Sequence, residues 1–248
     1  MSRFRAHLPR RLFLIVMFAG SAFITASSLG YFDFETFPPF VVERMPEHFA
    51  ALWLGSLRVH VATALLTLPL CLLLTTRWIQ RHVAWHRWLG RVSGVLVLAA
   101  LVPSGAVLAF HAKGGAVVTA GFLLSAAIIA WFMVRGVGAA RRRDLVSHRR
   151  AMLHVVGQMS VAVTSRTMLF GFDAAGIDPD IAYVIALWGP VLASAGVVEI
   201  LCARSNASRA WFVSVFVSLA ERIRRDRLPQ NRLVRTRSFI RPVARSGR

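Results

Sequence analysis

The chain has 248 residues, 56% of them hydrophobic and 17% charged, with a formal net charge of +19. A soluble domain carries about 25% charged residues; here the charges gather in short clusters between long apolar runs, which argues against a water-soluble fold. Lys113 is the sole lysine, so the basic charge is nearly all arginine, and no aromatic-studded basic surface accompanies it to suggest a nucleic-acid partner.

A helix of about 20 apolar residues spans the hydrocarbon core of a bilayer. Taken in chain order, six segments qualify: roughly 11–32, 50–76, 92–112, 115–135, 151–172 and 181–203. The fold class expected is all-α, a polytopic bundle of six transmembrane helices. Gly20, Ser21, Thr63, Gly94, Gly121, Ser125 and Ser160 fall inside these runs, where small residues let helix backbones approach closely. The first run follows a basic start and ends near Thr25-Ala26-Ser27-Ser28, as a signal peptide can, but it is long enough to span and is expected to stay as an uncleaved anchor. Cys71 and Cys202 lie in apolar runs without C-x-x-C spacing and read as small buried hydrophobes.

Charge asymmetry sets the orientation. Arginines crowd the amino terminus (Arg3, Arg5, Arg10, Arg11), the second connection (Arg77, Arg81, Arg87, Arg91) and the fourth (Arg141, Arg142, Arg143, Arg149, Arg150). Alternate connections are acidic, with Asp33, Glu35, Glu43 and Glu47 in the first and Asp173, Asp178 and Asp180 in the fifth. Positive connections stay cytoplasmic, giving both termini inside a bacterial inner membrane. Residues 1–10 are then a cytoplasmic lead, 11–203 the membrane domain and 204–248 an arginine-rich cytoplasmic tail. Within that tail Phe212, Val215, Phe216, Leu219 and Ile223 recur at helical spacing opposite Ser214, Ser218, Arg222 and Arg225, predicting an amphipathic helix over about 208–225 that lies against anionic headgroups. Disorder is expected beyond Pro229.

An ionisable residue inside a lipid-spanning helix is costly unless paired or solvated, and so marks a functional lead. His60 falls near the midplane of the second span, Arg58 slightly shallower, Arg166 in the outer half of the fifth and His111 at the outer end of the third. His82, His86, His148, His154 and Glu199 lie toward the cytoplasm. A b-type haem needs two neutral imidazoles facing one another from different helices at similar depth; His86 with His154 meets that condition best, and His60 pairs less well with His154 or His111. His82 and His86 share a helical face and His148 could join them around a metal ion, yet no cysteine or carboxylate completes a known spacing, so no metal site is assigned. The plainer reading is structural: histidines and Arg87 at the lipid boundary bind headgroup phosphates, Glu199 neutralises Arg87 or Arg150, and Arg58 and Arg166 hold an anionic lipid or pair with Glu47 or Asp173. No Walker loop, H-E-x-x-H, G-x-S-x-G or dinucleotide fingerprint is present.

The stretch 47–199 resembles a bacterial family of predicted membrane proteins, DUF2306. His60 matches its midhelix histidine. His86, Arg87, Gly90 and Arg91 match its H-R-x-x-G-R-x-Y motif, with Ser93 in the tyrosine position. His111, Gly114 and Gly115 match an H-x-x-G-G turn that Gly121-Phe122 extend. His148, Arg149, Arg150 and Met152 match an H-R-R-W-M-x-R motif, with Ala151 and His154 departing from it, and Arg166 and Glu199 match polar positions. The resemblance implies a multi-helix membrane protein and brings no chemistry with it. Three functions remain open at this point: a haem-binding redox protein exchanging electrons with quinone, a carrier drawing an anion inward with Arg58 and Arg166, and a non-catalytic scaffold or sensor.

Overall fold

Runs of leucine, alanine and valine with few internal breakers favour helix, and in lipid the helix also satisfies every backbone polar group within one segment. The computed structural model describes residues 2–33, 37–46 and 48–227, and side chains over 11–33, 37–39, 41–46 and 48–203. Every α, 3-10 or π element among these is helical. The chain divides into two units, Met1–Cys202 and Ala203–Arg248.

In the first unit α1 (Ser2–Ser28) leads through a 3-10 turn, Leu29–Phe32, to the short α2 (Pro39–Arg44). Helix α3 (Ala50–Thr75) is followed by a single turn, α4 (Arg77–Arg81), and by α5 (Val83–Leu96). A π-helical turn, Val97–Leu101, joins α5 to α6 (Val102–Ala109). Helices α7 (Gly115–Arg141) and α8 (Leu145–Ala174) form a hairpin, and α9 covers Pro179–Arg227. Five segments are long and apolar enough to cross a membrane: Arg11–Phe32, Ala50–Thr75, Val83–Ala109, Gly115–Arg141 and Pro179–Ala203. The sixth expected span, 151–172, does form a helix, α8, but one too polar to stand with those five.

Large apolar side chains face outward while several polar ones are enclosed. Leu66, Val95, Val134, Leu192 and Val197 are exposed, whereas Thr67, Ser93, His154, Gln158 and Ser160 are enclosed. Apolar surface on this scale outside a fold needs a nonpolar solvent, and this protein's solvent is the bilayer. The main core layer joins α1, α3, the π turn, α7 and α8 through Met17, Leu72, Val97, Met133 and Val155. A second layer packs Val118 and Val161 on Leu187 and Val191.

The helices extend further at their arginine-rich ends than the sequence predicts. Arg87, Gly90 and Arg91, read as loop residues, lie on α5, and Arg149 and Arg150 lie on α8. Arginine at a span's end is compatible with helix because its long stem lets the charge reach the headgroups. The α7–α8 turn needs only Arg142, Arg143 and Asp144, with Arg143 in the left-handed region (φ 62). The backbone of α9 is helical where the interfacial helix about 208–225 is expected, but its side-chain faces and the tail from 228 onward lie outside the described residues.

Asp144 caps α8, its Oδ1 accepting the Ser147 N–H at 3.0 Å. Hydrogen bonding from Ser147 holds this carboxyl below its ordinary value. A depressed acid stabilises the fold fully above its unfolded pKa, about 3.9, and loses that contribution as pH falls through the lower folded value. An Asp144→Ala variant is therefore expected to melt below the parent at pH 7, with the gap narrowing as scans are taken at increasingly acid pH.

Candidate outer cavity and inner ion pair

The polar residues fall into two groups, set by where each helix meets its neighbours and called outer and inner after the orientation that the sequence predicts. The outer group begins at Pro103. Proline has no N–H to give the carbonyl four residues back and crowds it sterically; the helix accommodates this with the wider turn at Val97–Leu101, a feature frequent at functional sites. Two carbonyls next to this turn also accept from side chains. Ser104 Oγ donates to Ala100 O at 2.6 Å, and His60 Nδ1–H donates to Leu101 O at 3.1 Å. Gly105 leaves room for the imidazole, since a Cβ there would stand 2.9 Å from His60 Cε1. With Nδ1 donating, His60 keeps Nε2 as an acceptor.

His60 lines a cavity of about 590 Å³ bounded by α1, α3, α6, α7, α8 and α9. Its walls are largely apolar, including Leu57, Val61, Leu65 and Ile129, while Arg44, Lys113, Arg166, His111, Tyr31 and Tyr183 bring polar groups to it. A neighbouring cavity of about 410 Å³ shares Lys113, Arg166, Leu169 and Tyr183 and adds Asp173. The cations differ in how far they are neutralised. Arg44 pairs with Glu43 at 2.9 Å and Lys113 with Asp180 at 3.3 Å. Arg166 donates to Ala162 O at 3.0 Å, and among the described residues no carboxylate lies within ion-pair distance of it. Its charge acts on both His60 and Tyr183.

Arg58, expected beside Arg166 as an anion holder, instead donates to Tyr31 O at 3.2 Å and Asp33 O at 3.0 Å, tying the 3-10 turn to α3. Glu47 lies outside the described residues. At the floor of the cavity Gln158, which the sequence reading passed over, joins three helices: Nε2 donates to Val191 O and Ser194 Oγ on α9, and Oε1 accepts from Ser125 on α7 at 2.9 Å.

The inner group is arranged differently from the haem expectation. His86 and His154 are not opposed. The His86 ring stands against His148, centroids 6.4 Å apart and nearly perpendicular, and His148 Nδ1–H donates to Gly136 O at 2.9 Å. His82 donates to Trp78 O at 2.9 Å and lies against its ring, away from the metal trio that its spacing suggested. Among the described residues no three histidine, cysteine or acidic side chains gather around a point. His154 is 3% exposed, with Phe132 stacked on it at 3.9 Å. Its Nε2 meets Glu199 Oε1 at 2.8 Å, while Glu199 Oε2 accepts from Arg150. Nδ1 is buried without a bond, so neither ring nitrogen is open to an axial ligand. Glu199 thus takes Arg150 of the two arginines expected, with His154 in addition.

A family model described as a predicted membrane protein, DUF2306, matches residues 57–202. The chain belongs to the DUF2306 family. Among curated proteins and among solved structures nothing matches it. Both polar groups of this DUF2306 protein fall mainly inside the matched stretch, with His60, Gln158 and Arg166 from the outer group and His86, His148, His154 and Glu199 from the inner. Arg44 and Tyr31 come from outside it. Of the matched motifs, Gly114 (φ 93) and Gly115 (φ 65) take left-handed conformations that turn the chain from α6 into α7, where a Cβ would be strained. Gly90 faces open space, with nothing within 4 Å of an added Cβ.

Proposed function

We propose that this DUF2306 protein is a carrier for an organic anion with an apolar body, taken into the outer cavity with its head on Arg166. One observation carries this: a guanidinium without a carboxylate partner beside a cavity of about 590 Å³ with apolar walls. A charge beside low-dielectric apolar walls attracts an anion more strongly than one surrounded by water, and arginine's planar donors suit carboxylate, sulfonate or phosphate heads. Tyr183 adds a polar contact. The haem reading has weaker support, because His154 is engaged at Nε2, covered by Phe132 and closed at Nδ1.

The same proposal places α8 across the bilayer as a sixth span, with both termini on the cytoplasmic side of a bacterial inner membrane. Its support is the arginine set on one end of the bundle together with Trp78, Trp85 and Trp88, all more than half exposed there. Tryptophan at headgroup depth and arginine on the inner side are the marks of that interface, and these arginines would meet anionic lipids.

Octanesulfonate, charged at every working pH, tests the cavity. At 100 times its Kd it adds about 2.7 kcal/mol, which in a chain of this size raises the melting temperature by about 5–10 °C. The shift is expected in the detergent-solubilised parent, absent in Arg166→Ala and small with neutral octanol or a quinone headgroup. An Arg166→Ala protein stabilised as strongly as the parent would overturn the proposal.

A further inference from the structure

The ion pair on the inner side does more than a structural clasp between α8 and α9 requires. Its central group, His154, is almost fully enclosed, yet it joins an outward-reaching chain: Glu199, whose side chain is 47% exposed, accepts from Arg150 with one oxygen and meets His154 Nε2 with the other. The carbonyl chemistry that satisfies His60 and His148 is missing here. Nε2–H points at a carboxylate, and Nδ1 remains a buried atom without a partner. The ring lies flat on Phe132, 10° from parallel, a geometry that favours a cationic ring through the aromatic quadrupole. A neutral imidazole so placed has one basic lone pair, one anion to balance a second proton and one aromatic face to stabilise it.

Of the surrounding side chains, Arg150 carries the charge that shares Glu199 with the ring. Helix α3 brings Leu68, Cys71 and Leu72 into the same core layer, with the Cys71 thiol held to Ser93 Oγ at 3.2 Å, and α1 brings Met17. Helix α7 contributes Phe132, and α9 contributes Glu199. On α8 itself Arg150 is bound to Glu199, and His148 to Gly136 O.

We infer that His154 and Glu199 form a proton-binding site loaded from the cytoplasmic side, and that its occupancy is linked to anion binding in the outer cavity. The inference rests on the carrier reading above and adds its coupling ion. The step is a simple protonation: a proton entering from the inner side through the half-exposed Glu199 carboxylate is retained on the imidazole, Glu199 ends unprotonated, and the neutral imidazole beside a carboxylate becomes an imidazolium–carboxylate pair. No bond to carbon changes. The link to the cavity runs along α8. Gln158 follows His154 by one helical turn, lines the cavity and bonds to both α7 and α9; Arg166 follows two turns later. At about 1.5 Å per residue the new charge lies about 18 Å from Arg166, and at an effective dielectric of about 20 a unit charge at that distance changes anion affinity about fivefold. Reciprocity then requires the anion to favour protonation by the same factor.

Octanesulfonate binding to the full chain in nanodiscs, followed by titration calorimetry from pH 5.5 to 8.5 in buffers of differing ionisation heat, reads both sides of the link. The parent is expected to bind about fivefold more tightly at the acid end and to take up protons on binding between the two limits. In His154→Gln, and separately in Glu199→Gln, the pH slope and the proton uptake are expected to vanish while binding persists; using two variants guards against one failing to fold. If His154→Gln keeps the parent's slope, or if the slope disappears only in His60→Gln, the proton belongs elsewhere and the inference is overturned while the cavity stands. If the parent binds none of the probe at any pH, the carrier reading fails and the coupling falls with it.

Discussion

Leucine in place of Gly121 is expected to cost about 3 kcal/mol, mostly from overpacking, and to lower the melting temperature by about 10 °C. The expectation comes from the seam between α7 and the membrane part of α9. A Cβ at Gly121 would stand 2.8 Å from Leu187 Cδ2 and 3.2 Å from Trp188 Cε2. Neither neighbour has room to retreat. Leu187 packs into a layer with Val118, Val161 and Val191, all enclosed, and Trp188 is held by its Nε1–H to Val117 O at 3.2 Å. Small residues at such crossings are what permit close packing when lipid supplies no hydrophobic drive between helices. Gly196→Leu is the matched control. It also sits on α9, but nothing lies within 4 Å of its added Cβ, so helix propensity alone makes it neutral or slightly stabilising. Thermal scans of both in one detergent decide the matter: equal melting temperatures would mean that the seam is not tightly packed. Because Phe122 and Leu187 also line the cavity, Gly121→Leu should weaken octanesulfonate binding as well.

What could be read from sequence depended on whether the signal was one of solvent or of partner. Helix α3 was legible almost to the residue, 50–76 against Ala50–Thr75, because a run this long and this largely apolar has one stable form in lipid. The start of the third span was not, since Arg87 and Arg91 look like loop residues although α5 carries both. Pro103 in an apolar run was the available sign of the π turn and went unused. His60, His111 and Arg166 were singled out by cost alone, and the cavity collects all three. Periodicity could not say that Arg58 would be occupied by Tyr31 and Asp33 carbonyls, or that His154 would meet Glu199 and not His86. Such pairings depend on helix rotation and crossing, which a single sequence does not encode locally. Gln158 was overlooked because an amide among valines and serines reads as a mild polar interruption, whereas its three bonds to α7 and α9 exist only in the assembled bundle.

Alkaline phosphatase fused after Gly176 is expected to be active, and fused after Asp144 inactive, an all-or-none contrast that turns on α8 crossing the membrane. By composition α8 fails as a span, carrying Arg149, Arg150, His154, Gln158 and Arg166. Its length does not fail: 30 residues rise about 45 Å, more than the hydrocarbon core of about 30 Å. The polar groups are costly only if lipid must solvate them, and the two in the middle of the helix are spared that. His154 and Gln158 are enclosed by α7 and α9 partners, and Ala151, Val155, Met159 and Val163 are buried alongside them. A helix wrapped on several sides by α1, α3 and α7 has little surface left to lie along the interface, so the ordinary hydropathy criterion, which assumes lipid on every face, undercounts it. The two ends carry the expected signs, Arg149 and Arg150 at one and Asp173 at the other. With α8 lying flat, the connections on either side of it would share a compartment and the two fusions would agree, which would also separate Glu199 from the cytoplasmic side that the proton site needs.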